Sequence, residues 1–126
     1  MKINVPASVG ELFDKITILE IKKAKISNKE KLNDINKELS SLNETVKKFI
    51  PDQSSISKYI NDLKNINLKL WDIEDEKRAA EKNKKFDEKF IELARNVYKY
   101  NDERAKIKLA INNSLGSNIK EVKSYE

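Results

Sequence analysis

Apolar positions recur at intervals of three and four along nearly the whole chain, the period of helices that each bury one face. Val9, Leu12, Phe13, Ile16 and Leu19 form a first stripe, and Leu32, Ile35, Leu39, Leu42, Val46 and Phe49 a second. A third runs through Ile56, Tyr59, Leu63, Ile66, Leu70 and Ile73, and a fourth through Phe90, Leu93, Val97, Tyr100, Ile107 and Ile111. The pattern predicts helices over residues 9–26, 28–50, 56–82 and 86–115. In the second stripe the regular alternation of three and four is that of an antiparallel hairpin or coiled coil.

Punctuation agrees with these limits. Ser8 and Glu11 fit a capping box, and Ser27 with Glu30 repeats it. Pro51 stops the second helix, Ser55 or Ser57 is placed to cap the third, and Gly116 supplies a left-handed stop for the fourth. Residues 1–7 and 117–126 read as extended tails, the last ten able to pair with the first few. The expected fold is all-α: one domain over 1–126, in which antiparallel helical hairpins form a four-helix bundle. At 1.5 Å per residue the third and fourth helices reach about 40 Å and the first about 27 Å. The long pair should overhang, and a homodimer mate is one way to cover it.

Composition narrows the chemistry more than the fold. Of 126 residues, 37% are charged and 38% hydrophobic, with two Gly and two Pro, so solvated helices account for the polarity. The absence of Cys and His removes thiol nucleophiles, thiolate metal sites and imidazole bases together. No metal site and no cofactor is expected. The net charge of +5 comes from Lys interleaved with Asp and Glu, which argues against a nucleic-acid surface. Lacking a charged-then-apolar leader and a bilayer-length apolar run, the chain reads as cytoplasmic, with no membrane partner.

Three apolar stripes carry a charge. At about 100° per residue Arg104 sits amid Phe90, Leu93, Val97, Ile111 and Leu115, Glu20 lies among Val9, Leu12, Phe13, Ile16 and Leu19, and Lys77 continues the third stripe. A charge in a core must be paired, so Glu20 is expected to meet Arg104 across the bundle. Such a pair either sets helix register or lines a polar pocket for an anionic small molecule, with Glu20, Trp71, Lys77, Tyr98, Asn101, Arg104 and Lys108 as candidate ligand-binding residues. The fourth helix also has a narrower stripe of Ile91, Ala94, Tyr98 and Ala105, which implies a second packing partner, either the first helix or a dimer mate.

Four segments carry a family resemblance: Val9 through Lys22, Leu70-Trp71-Asp72-Ile73-Glu74-Asp75, Phe90 through Tyr98 with Asn101 through Ala105, and Lys123-Ser124-Tyr125. In these the chain resembles an uncharacterised bacterial family of small helical proteins, a domain of unknown function. Some members of that family occur near or joined to glycosyltransferase and repeat domains of surface-polysaccharide synthesis. The resemblance implies an accessory role in glycan assembly and a glycosyltransferase-pathway partner; it supplies no catalytic residue.

Two classes of function compete. One is a non-catalytic helical module for interaction or anionic-ligand binding. The other is a small helical enzyme on an anionic substrate. Its magnesium-dependent nucleotide pyrophosphohydrolase form would use Glu11 with Asp14, and Asp72 with Asp75 and Glu76. Its chorismate-mutase-like form would surround a dicarboxylate with Arg104, Lys77, Lys108 and Glu20.

Overall fold

The structure is a computed structural model that describes residues 1–116. Four helices account for nearly all of it, in the order α1 (Val9–Lys25), α2 (Lys29–Phe49), α3 (Ser57–Lys82) and α4 (Glu88–Leu115). The described residues contain no strand. Residues 1–7 carry no regular element and are exposed, and the expected pairing of the last ten residues lies outside the described part.

Local chemistry fixes the helix ends. Ser8 Oγ accepts from the Glu11 amide at 3.1 Å, as the capping box predicts, but the Glu11 carboxylate turns to Lys108 Nζ. The second cap is Asn28 rather than Ser27: its side chain accepts from the Lys31 amide at 3.0 Å. Neither Ser55 nor Ser57 caps α3. Ile56 occupies that position with no side-chain bond, and the preceding turn is held by Asp52, whose carboxylate accepts from the Ser54 amide. These bonds from Ser54 hold the Asp52 carboxyl below its ordinary value. Asp87 caps α4 through the Phe90 amide at 3.2 Å, and Gly116 ends it at φ 63°, the left-handed conformation expected of it.

The α3–α4 connection closes with a less expected residue. Lys84 takes φ 54°, with its amide bonded to the Glu81 carbonyl and the Lys85 amide to that of Ala80. This pairing is a Schellman stop, in which a lysine stands where glycine is usual.

All three other helices pack on α1, and α3 packs along α4. The core joins Phe13, Ile16 and Leu19 to Ile35, Leu39 and Val46 of α2, Leu63 of α3 and Ile111 of α4, with Ile50 and Ile56 of the connection closing it. Leu63 and Ile111 are fully buried, each stabilising the fold by roughly 2 kcal/mol relative to an exposed side chain. One position of the second stripe departs from expectation. Phe49 is exposed and Ile50 buried, because the helix stops at Phe49 and the chain bends at Ile50, turning the next side chain inward.

Lengths of about 26 Å for α1 and about 40 Å for α3 and α4 leave the far half of the α3–α4 hairpin beyond the main core. Ile73 and Leu93 are buried there, outside the core cluster. Lys69 lies over the Tyr100 ring, 5.3 Å from its centroid, and ties the two helices together nearer the middle.

Candidate functional site

Because α1 contacts three helices it must bury more than one stripe. Phe13, Ile16 and Leu19 face the main core, whereas Gly10, Asp14, Thr17 and Ile21, spaced four, three and four, form a second buried face. A helix with a glycine, a carboxylate and a hydroxyl on a buried face requires polar partners on the elements it meets. They come from α3 and α4.

Asp14 is the hub. Arg104 Nε donates to Asp14 Oδ1 at 2.8 Å, and Arg104 Nη2 pairs with Asp14 Oδ2, so the guanidinium fork grips the carboxylate at both oxygens. Asn67 Nδ2 donates to Asp14 Oδ1 and to Thr17 Oγ1, each at 3.0 Å, while Thr17 Oγ1 donates to the Asp14 carbonyl at 2.9 Å. Lys108 Nζ sits 2.6 Å from Glu11 Oε1 and 3.8 Å from Asp14 Oδ2. Asn112 Oδ1 accepts from the Gly10 amide at 2.7 Å. The side chains of Asp14 and Lys108 are only 5% and 7% exposed.

Two carboxylates therefore face two cations, with Asp14 and Lys108 buried and Arg104 and Glu11 reaching solvent at the edge, and no buried side-chain polar atom among the described residues lacks a partner. Removing Arg104 would leave the buried Asp14 carboxylate without the fork that grips it, at a cost of several kcal/mol. Close approach of α1 to α4 is built in at Gly10. A Cβ there would stand 2.6 Å from the Lys108 carbonyl oxygen, nearer than any side chain tolerates.

The expected pair of Glu20 with Arg104 is not formed. Opposite charges from α1 and α4 do meet, but the acid is Asp14; Glu20 lies further along α1, where the helix has passed over to α3, and pairs with Lys64 at 3.2 Å. Lys77 pairs with Glu74 on its own helix at 3.5 Å, and ten residues separate it from Asn67, about 15 Å along α3. Glu20, Lys77 and Arg104 thus occupy three separate places. Asn101 does join the centre, its Oδ1 accepting from Arg104 Nη1 at 3.3 Å, and Lys108 belongs to it as well. Trp71 is half-buried on α3 and Tyr98 is exposed on α4. The narrow stripe of α4 is not where α1 packs, since α1 meets α4 at Arg104, Lys108 and Asn112.

Of the residues the sequence left unassigned to this centre, Asp14 had a visible signal: its four-three-four companions Gly10, Thr17 and Ile21 mark a second face. Asn67 had none, for its burial depends on where α1 crosses the hairpin. Among the described residues no three acidic side chains come together to hold a metal ion. Two open grooves lie elsewhere, one of about 690 Å³ along α4 between Glu88 and Lys99, the other of about 340 Å³ beside Lys23 and Leu39. No helix of the described residues is long and apolar enough to cross a membrane.

No curated protein and no solved structure is significantly similar to the chain. One family model matches it across residues 1–126. A helical chain tied by a charge centre of its own side chains thus belongs to the family described as a family of unknown function, DUF6165.

Proposed function

We propose that this protein is a non-catalytic helical interaction module that self-associates, and that its buried charge centre serves architecture. What carries the reading is where large apolar side chains reach solvent on the helical body. Phe86, Ile91, Tyr98 and Leu109 are 55%, 47%, 57% and 43% exposed, on α4 or the turn before it, while Phe49 at the end of α2 is the one other such residue on the described helices. Grouped exposure of this kind on one element is characteristic of contact surfaces. The charge centre supports the same division of labour, because Arg104 and Lys108 already face Asp14 and Glu11.

That arrangement weakens the anionic-ligand reading, whose cations are engaged by the chain's own acids. It also weakens the magnesium reading, whose first carboxylate pair, Glu11 and Asp14, is held by Lys108 and Arg104. A role accessory to bacterial surface-glycan assembly, with a glycosyltransferase-pathway partner, rests on the family resemblance alone. We place the module in the cytoplasm, as the sequence suggests.

Sedimentation velocity on the full chain tests the reading. The expected result is a sedimentation coefficient that rises with protein concentration towards a dimer. Calorimetric titration with anionic sugar nucleotides, with and without magnesium, should give no binding heat. A chain that stays monomeric but binds such a ligand would replace the proposal with the ligand-binding alternative.

A further inference from the structure

The exposed side of α4 is charge-segregated as well as apolar. Glu88 and Glu92 stand one turn apart, followed by Arg95 and Lys99 one turn apart, all four exposed and on one groove. At about 100° per residue they fall within an arc of about 60°, with Ile91 and Tyr98 along one side of it. Like charges four apart on a helix repel, whereas Glu92 with Arg95, three apart, and Lys99 with Glu103, four apart, attract, so within α4 alone the order is close to balanced. Among the described residues none of the four makes an ion pair within 4.0 Å.

The same order is self-complementary under a two-fold axis. If α4 meets a second α4 antiparallel, with the axis between Leu93 and Ala94, Glu88 faces Lys99 of the other copy and Glu92 faces Arg95. One register satisfies both pairs, and symmetry doubles each. Ile91 and Tyr98 fall on the same side of both helices, so Tyr98 of one copy comes level with Ile91 of the other, about 3 Å apart along the axis at 1.5 Å per residue.

We infer that the Glu88–Lys99 face of α4 is an antiparallel two-fold interface with a second copy of this chain, its register set by Glu88–Lys99 and Glu92–Arg95 pairs. The inference rests on the self-association proposed above and adds its face, partner and register. One helix pair lies at the small end of specific interfaces, so association is followed up to about 1 mM protein.

Sedimentation equilibrium on four samples decides it: wild type, Glu92→Arg, Arg95→Glu, and an equimolar mixture of the two variants. All substitutions are on exposed positions, and circular dichroism melting checks that each variant is folded. Each single variant sets like charges together twice and should weaken dimerisation by roughly ten- to a hundredfold. The mixture should recover wild-type association, because one copy then carries a cation at both positions and the other an anion at both, so opposite charges face each other again. A wild type that dimerises while the single variants do so equally well, or a mixture that fails to recover, overturns the inference and leaves self-association standing. A wild type that is monomeric throughout overturns both.

Discussion

Replacing Gly10 by alanine sets two effects of opposite sign against each other. Alanine is the better helix former, and at an interior position the exchange stabilises a helix by up to about 1 kcal/mol. Gly10 is the second residue of α1, so less than that is available. Against it stands the new Cβ, 2.6 Å from the Lys108 carbonyl oxygen and 3.0 Å from Asn112 Oδ1. The amide side chain can rotate, but the carbonyl belongs to the α4 backbone and cannot. Since ordinary contact begins at 3.4 Å, α1 and α4 must part locally by about 0.8 Å. That separation stretches the 2.7 Å bond from the Gly10 amide to Asn112 and strains the neighbouring Glu11–Lys108 pair. Overpacking of this kind costs about 1–3 kcal/mol, which exceeds the propensity gain. Urea denaturation followed by circular dichroism should show Gly10→Ala less stable by about 1–2 kcal/mol with an unchanged m-value. A variant as stable as wild type, or more so, would mean that α1 does not approach α4 at this point.

Three other outcomes follow from the same contacts. Arg104→Ala should destabilise by about 3 kcal/mol, and Arg104→Ala with Asp14→Ala by clearly less than the sum of the single changes; additivity in this double-mutant cycle would show the two do not interact. Lys84→Gly should raise stability by about 0.5–1 kcal/mol by relieving the left-handed lysine, and a loss on thermal melting would contradict the Schellman stop. Phe49→Ser should change stability by less than about 0.5 kcal/mol while Ile50→Ala costs about 2–4 kcal/mol, and the reverse ranking would restore Phe49 to the core.

Helices were legible because their causes are local. A cap acts over three residues and a stripe over seven, so Ser8, Pro51, Gly116 and the four periodic runs placed the elements to within two residues. The errors at the caps are of the same short range: Asn28 outcompetes Ser27 by one position. Pairing across the bundle was less legible. That a cation of α4 would need an acid of α1 follows from burial alone, but whether the acid is Asp14 or Glu20 depends on the path of α1 over the hairpin. The projection around one helix axis cannot supply that path. It ranked Glu20 first because it assumed a single buried face, whereas α1, lying between three helices, has two.

The contact between Asp14 and Arg104 also joins residues ninety apart in the chain. At roughly 5–20 residues per second, a ribosome needs about 5–18 s to bring the arginine out after the aspartate. Through that interval the first helix has its nearest neighbour, α2, but none of the counter-charges on α4. Its carboxylate stays hydrated until α4 has emerged, so truncated chains lacking α4 should keep α1 from docking and be easy targets for proteolysis.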